Sequence, residues 1–257
     1  MDNTHRMMLD AGIAFDPDRL PKLVMTLEGV PDDARELTLL RQDKSHRGLS
    51  KFKRLKHLWT GRVNQEMIEE ISGLPELEIL RIKNMSATSL EPLAQNRKLK
   101  RLIIKGGNKV PDMEWTRGLS PTLEVLHLES LFRATEIGPI GELSQLKTLG
   151  LEGGIDRKLE LGSLEPLGTL SNLQYLFLAA ARAADKSLAP LQRLKKLRHL
   201  SCGAYFLDAE FAALQKALPG LDCSWFTMIE EYGSIRKGLA AFSERMKRNR
   251  PTGPPIP

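Results

Sequence analysis

The most regular feature of the chain is an aliphatic pattern, L-x-x-L-x-L, that recurs along most of its length. The fourth position of each copy, called the middle position below, is leucine in nine copies. These middle residues are Leu37, Leu58, Leu80, Leu102, Leu126, Leu149, Leu176, Leu200 and Leu221. Successive copies are 21 to 27 residues apart. The chain therefore contains an internal repeat of about nine units.

Each copy predicts a short strand followed by a return segment. Side chains alternate along a strand, so the fourth and sixth positions point into the same interior while the intervening residues face solvent. Nine residues before most middle leucines stands another apolar residue, four times directly after a proline, as in Leu164-Glu165-Pro166-Leu167. One repeat cannot bury its own leucines, so the units must stack into one continuous core.

The repeat resembles the leucine-rich-repeat superfamily over about residues 34–224, and the run Leu164 to Leu178 is most similar to the internalin type. This resemblance implies an α/β solenoid, a horseshoe with a parallel concave sheet, about nine repeats and short convex turns. The family's asparagine or cysteine ladder is absent. Its positions hold Val63, Met85, Gly107, Leu131, Gly154 and Ala181.

Both ends of an open solenoid need a cap. We expect an N-terminal cap over residues 1–33, with a capping strand at 20–27 and irregular cover at 1–17. Apolar residues at helical spacing from Ile229 to Met246 predict a C-terminal capping helix over about 225–247. The last segment, residues 248–257, is basic and proline-rich, and is expected to be a disordered tail.

Composition narrows the setting of the protein. The chain has a net charge of +6 with both signs interspersed, which permits a nucleic-acid or acidic partner without requiring one. The charged first ten residues do not resemble an export signal, and no stretch approaches the ~20 apolar residues of a membrane span. Cys202 and Cys223 are too few for a disulfide scaffold. We expect a cytoplasmic protein, no membrane partner, and two buried, reduced thiols.

The solvent-facing positions of the strands predict a candidate binding surface on the concave side. Its members are His57, Trp59, Arg81, Lys83, Arg101, Ile103, Lys105, His127, Glu129, Glu152, Tyr175, Phe177 and His199. Aromatic residues and arginine are enriched at binding hot spots. Two interpretations stay open: a functional surface, or tolerated apolar residues that loops cover.

Charge on this face is ordered. Arg81, Lys83, Arg101 and Lys105 fall on two adjacent strands, before Glu129 and Glu152 on the next two. Like charges on neighbouring strands are unfavourable, so either a bound acidic group or solvated long side chains must explain them.

Metal, cofactor and catalytic chemistry are not expected. The three histidines at 57, 127 and 199 fall three strands apart, roughly 14 Å from one another, too far to share a metal. Gly106-Gly107 and Gly153-Gly154 lack the Lys-Ser/Thr of a phosphate loop. A ligase-type effector would need a separate catalytic domain, and only 34 residues follow Cys223.

The sequence therefore predicts a non-enzymatic protein-interaction module that binds a partner protein, with an acidic patch, on its concave face. The alternative is a nucleic-acid-binding protein that uses the basic concave patch and the basic tail. A steep salt dependence of binding to DNA or RNA would distinguish the two.

Overall fold

A parallel sheet of nine strands dominates the computed structural model, which describes residues 3–14, 19–119 and 121–248. Its order is β1-β2-β3-β4-β5-β6-β7-β9-β11. The strands are β1 (Leu23–Val24), β2 (Glu36–Leu40), β3 (His57–Val63), β4 (Ile79–Met85), β5 (Arg101–Lys105), β6 (Val125–Glu129), β7 (Thr148–Glu152), β9 (Tyr175–Leu178) and β11 (His199–Cys202). Two further strands, β8 (Leu159–Leu161) and β10 (Ala181–Ala183), form a small parallel pair beside it.

The strand register confirms the repeat pattern for eight of its nine copies. From Leu37 to Leu200, the middle leucines of neighbouring strands lie side by side. All eight are buried, and one continuous aliphatic core runs from Leu37 to Ile235. The predicted leucine-rich-repeat solenoid with a parallel concave sheet is therefore confirmed.

Short turns of 3-10 helix form most of the convex side. They span Leu49–Lys51, Glu91–Gln95, Glu114–Gly118, Gly138–Glu142, Glu165–Thr169 and Ala189–Arg193. Four of them carry proline in the first turn, where its fixed φ fits and no internal hydrogen bond is lost. One repeat instead has a true helix, α2 (Gln65–Ser72), which begins where the Asn64 side chain accepts a hydrogen bond from the Met67 amide.

Backbone hydrogen bonds take over the role of the missing asparagine ladder. The residues at the ladder positions are mostly buried apolar side chains, such as Val63 and Leu131. The position just before has left-handed backbone at Arg62, Asn84, Gly106, Ser130 and Ala180. This conformation turns the chain out of the strand, and amides of one turn donate to carbonyls of the next repeat, as Met85 N does to Gly106 O at 3.0 Å.

The N-terminal cap differs from the prediction. The capping strand is only two residues long, and Leu23 lies beside Thr38 instead of the middle residue Leu37. Leu23 therefore faces the concave side and is 48% exposed. Residues 1–17 were expected to be irregular cover, but they contain a helix, α1 (Asn3–Asp10).

The C-terminal cap is also more elaborate than one helix over 225–247. Helix α3 (Asp208–Ala217) closes the last convex turn, and it is followed by α4 (Ser224–Tyr232) and α5 (Ile235–Arg248). Gly233, at a φ of 74°, interrupts the predicted helix between the last two. The remainder of the expected tail, residues 249–257, lies outside the described residues.

The ninth copy of the pattern is shifted by two residues. His199 bridges to Asp222, which places Cys223, and not Leu221, beside the middle residue Leu200. Cys202 and Cys223 therefore occupy different positions in their repeats. Cys223 is buried and Cys202 is half-buried, and both are free thiols.

None of the described helices is long and apolar enough to cross a membrane.

Candidate functional site

The concave face is built from three parallel rows of side chains, one for each outward position of the strands. The central row runs through Trp59, Arg81, Ile103, His127, Gly150 and Phe177 in adjacent register. Neighbours in a row are about 4.8 Å apart, because that is the spacing of hydrogen-bonded strands. The register thus brings the predicted site residues into one surface, which the structure divides into two unlike halves.

An N-terminal arm, defined as residues 3–14, covers the half over β6 to β9. Its Ala11 and Ile13 form a buried apolar cluster with Val125 and Phe177, against which Met7, Met8 and Tyr175 pack. Phe177 is only 4% exposed. The expectation that Phe177 is an exposed binding anchor is therefore wrong, because a segment distant in sequence buries it.

The end of α1 explains how the arm reaches the sheet. Gly12 has a φ of +74°, and the amides of Gly12 and Ile13 donate to Leu9 O and Met8 O. This left-handed termination turns the chain and directs Ile13 onto the sheet. A side chain at Gly12 would lie 3.2 Å from Val125 Cγ2, so the arm backbone sits close against the strands.

His127 lies in the same half and is almost fully buried, at 2% exposure. Its imidazole lies over Gly150 of the next strand, where a Cβ atom would be 2.6 Å from the ring. The ring Nε2 donates to Glu152 Oε2 at 2.9 Å, since an ionised carboxylate can only accept. The expectation of a surface histidine at this position is wrong.

The three residues His127, Glu129 and Glu152 could act together as metal ligands. One ligand atom of each lies within 4.8 Å of the others, the one such group among the residues that the structure describes. An imidazole and two carboxylates suit a zinc-like ion. The carboxylates are already compensated, however: Lys105 Nζ lies 2.9 Å from Glu129 Oε2, and His127 donates to Glu152. Each carboxylate of this cluster therefore already has a side-chain partner.

Three other predicted residues lie at the margins of the covered half. Ile103 is buried, contrary to its expected exposure. Arg101 is half-buried and its guanidinium lies beside Gly12. His199 is half-buried, bonds to Asp222 Oδ2 through Nδ1 at 2.9 Å, and stacks at a tilt on Phe177.

The other half, over β1 to β4, contains an apolar cavity of about 310 Å³. Its wall is formed by Leu20, Leu23, Thr38, Leu39, Leu40, Trp59, Thr60, Gly61, Arg81 and Lys83. The Trp59 ring is largely buried and meets His57 edge-on at 5.7 Å. His57 Nδ1 is held by Glu36 Oε1 at 2.8 Å.

Charge is present at one side of this cavity. Arg81 is half-buried, and burial lowers the pKa of its guanidinium without threatening its charge. Lys83 is exposed at the carboxyl end of β4. Glu129 compensates the charge of Lys105, so the predicted basic patch has less net positive charge than its four basic residues alone would give.

Sequence reasoning missed two groups of residues here. Leu20 and Leu23 line the cavity but were not among the predicted site residues, because the cap strand lies one residue out of the expected register. Met7, Met8, Ala11 and Ile13 of the arm were not predicted to touch the sheet. The helical spacing of Met7, Met8 and Ala11 was the one available signal.

Comparison with known proteins supports the architecture. No protein-family model and no curated protein sequence matches the chain. Among solved structures, the internalin inlF of Listeria monocytogenes has a TM-score of 0.58 at 20% identity over 74% of this chain. Internalin C2 of the same organism has a TM-score of 0.51 at 24% identity, covering 70% of this chain and 75% of its own.

A plant structure is similar to the same degree. It is the ectodomain of the Arabidopsis thaliana receptor kinase GASSHO1/SCHENGEN3, in complex with CASPARIAN STRIP INTEGRITY FACTOR 2. The TM-score is 0.51 at 17% identity, and the match covers 70% of this chain and 22% of that one. The present chain spans about half, 53%, of the inlF chain. These likenesses show the fold: the chain folds as a leucine-rich-repeat solenoid, as these structures do.

Proposed function

We propose that this chain is a non-enzymatic protein-interaction module that binds a partner protein on the open half of its concave face. The observation that carries the proposal is the apolar cavity beside Trp59. A concave, mostly apolar depression with a few charged groups at its side is the usual form of a recognition site. Solenoids present such extended concave surfaces to their partners.

The chemistry of the cavity defines the kind of partner. Leu23 and Trp59 offer apolar surface, and Arg81 and Lys83 add positive charge on one side. A protein segment with an apolar side chain next to an acidic one fits this arrangement. Arginine can bind such a carboxylate through two hydrogen bonds. The GASSHO1/SCHENGEN3 ectodomain, which shares this fold, was solved with another molecule bound.

The remaining concave residues enter the proposal in two groups. Lys105, Glu129 and Glu152 are half-exposed and extend the site along the carboxyl ends of the strands. Ile103, His127 and Phe177 are buried, and Phe177 contacts a partner only if the arm leaves. We further propose a cytoplasmic location, in keeping with the two free cysteines.

Nucleic-acid binding, the second candidate, receives less support. Residues 1–234 contain 32 basic and 31 acidic residues, so the solenoid has almost no net charge. Sequence-independent binding to nucleic acid depends on an excess of basic contacts with phosphates. The ion pair between Lys105 and Glu129 removes a further charge from the concave patch.

The test is affinity capture with quantitative mass spectrometry. Leu23→Asp and Lys83→Glu alter exposed residues of the cavity, and we expect both to lose the same captured protein. Ile155→Asp and Lys195→Glu, at exposed sites elsewhere, are the matched controls and should retain it. The proposal fails if the cavity variants and the controls capture that protein equally.

A further inference from the structure

The outer turns of the last helix are largely exposed to solvent. Every residue of α5 from Leu239 to Arg248 is exposed, whereas Ile235 and Gly238 at its start are buried against the body. A helix of about ten residues without packing is only marginally stable in water. The sequence of this segment therefore points to an external surface that stabilises it.

One side of these turns is apolar. Leu239, Phe242 and Met246 follow a spacing of three and four residues and are 41%, 53% and 56% exposed. Buried Ile235 lies one turn earlier on the same side, so the stripe continues from the body outward. Large apolar side chains exposed in a row, in contrast to scattered ones, mark an interaction surface.

The rest of the segment is strongly basic. Residues 235–257 contain six basic residues and one acidic residue, a net charge of +5, while the whole chain has +6. The basic residues are Arg236, Lys237, Arg245, Lys247, Arg248 and Arg250. Nearly all the net charge of the protein therefore falls in the same part of the sequence as the apolar stripe.

We propose that the outer part of α5 binds an anionic membrane surface as a helix lying in the plane of the interface. Leu239, Phe242 and Met246 enter the boundary between headgroups and acyl chains, and the basic residues contact anionic headgroups. A large apolar side opposite a lysine- and arginine-rich side is the form of such helices. Clusters of four to eight basic residues on an amphipathic helix suit acidic lipids.

Charge selects this occupant over a second copy of the chain. Two copies would bring two segments of +5 together, which is unfavourable. An anionic leaflet supplies both the apolar boundary and the opposite charge, and each basic residue near it raises the affinity about fivefold. The expectation of no membrane partner rested on the lack of a spanning segment, which an interfacial helix does not require.

The experiment is co-sedimentation of the full chain with vesicles of phosphatidylcholine alone and of phosphatidylcholine mixed with phosphatidylserine. We expect binding only to the anionic vesicles, and its loss at high salt because screening weakens the contacts. The double variant Phe242→Ser/Met246→Ser should bind at least about tenfold more weakly, since it loses two inserted side chains. Arg245→Glu/Arg248→Glu should do the same.

The controls are Ile155→Ser for the apolar change and Lys195→Glu/Lys196→Glu for the charge reversal, all at exposed positions outside α5. Circular dichroism melting should show the same stability for every variant. The proposal would be overturned by equal binding to neutral and anionic vesicles, or by no binding to either kind. It would also be overturned if the α5 variants bound anionic vesicles as tightly as the wild type does. Phe242-dependent dimerisation in analytical ultracentrifugation without vesicle binding would overturn it too, and would assign the stripe to protein contacts.

Discussion

The two halves of the concave face are built by the same repeat, yet they differ in what lies on them. Over β1 to β4 a cavity of about 310 Å³ stands beside Trp59, with Leu23 exposed at its wall. Over β6 to β9 two outward residues, Val125 and Phe177, are buried together with Ile13 and Ala11 of the arm. The repeat therefore determines which residues point outward, but a segment outside the repeat determines which of them a partner can reach.

The core under the two halves does not share this difference. Leu58 lies under the open half and Leu176 under the covered half, and both have no exposed surface within one continuous cluster. We expect Leu58→Ala and Leu176→Ala each to lower the free energy of unfolding by about 2–5 kcal/mol, because each leaves a cavity in a close-packed core. Urea denaturation measures both.

The matched change for this pair is Leu239→Ala, which removes the same atoms at an exposed position and should cost less than about 0.5 kcal/mol. A Leu176→Ala variant as stable as the wild type would show that the strand register of the covered half is wrong.

Changes to the contact between the arm and the sheet should give the next largest loss of stability. Phe177→Ala should destabilise by about 2 kcal/mol, because the ring is buried between the sheet and Ile13. Ile13→Glu should remove the same packing by expelling the arm. In a double-mutant cycle the two changes should therefore be coupled by about 1 kcal/mol or more, as expected for residues in contact.

Leu23→Ala is the control for this cycle, since Leu23 faces the open half and does not belong to the arm cluster. Its effect should add to that of Ile13→Glu within a few tenths of a kcal/mol. Additive effects of Ile13→Glu and Phe177→Ala would mean that the arm does not rest on the covered half in solution.

These differences show what sequence can predict. The middle leucines recur often enough to set the register of eight strands, because a slip would expose every buried side chain at once. The ninth copy forms only an isolated bridge to β11, and both Leu221 and Cys223 can enter the interior, so the pattern did not distinguish them. The same holds at the other end, where Leu23 and Val24 compete for one interior position.

The site was harder to predict because its cover is not periodic. Trp59, Arg81 and Lys83 follow from the strand register and lie where the pattern placed them. Phe177 also points outward as predicted, but its burial depends on Ile13, more than 160 residues earlier. Contacts of that kind leave no repeated signal in one sequence. The residues of the open half were thus predictable, and the division into halves was not.

The smallest expected loss of stability concerns the ion pairs at the amino-terminal ends of the strands, where the two halves also differ. In the open half Glu78 bonds to both Lys100 Nζ at 2.8 Å and Lys56 Nζ at 2.7 Å. In the covered half Glu124 has one lysine partner, Lys147, at 2.9 Å. The hydrogen bonds from Lys100 and then Lys56 lower the pKa of Glu78 to about 2, from an ordinary value of 4.5.

A carboxyl pKa that is lower in the folded than in the unfolded state stabilises the fold above the unfolded value, and this stability disappears as the pH falls towards the folded value. Glu78→Gln should therefore lower the free energy of unfolding at pH 7 by about 1 kcal/mol or less, because its lysine partners are largely exposed. The loss should shrink between about pH 4.5 and pH 2. Glu124→Gln, with one exposed partner, should lower the free energy of unfolding at pH 7 by less than Glu78→Gln does. Urea denaturation at pH 7 compares the two variants, and the same measurement at several pH values follows the Glu78→Gln loss. Equal losses for the two variants at pH 7 would show that the second lysine of Glu78 contributes nothing to the open half.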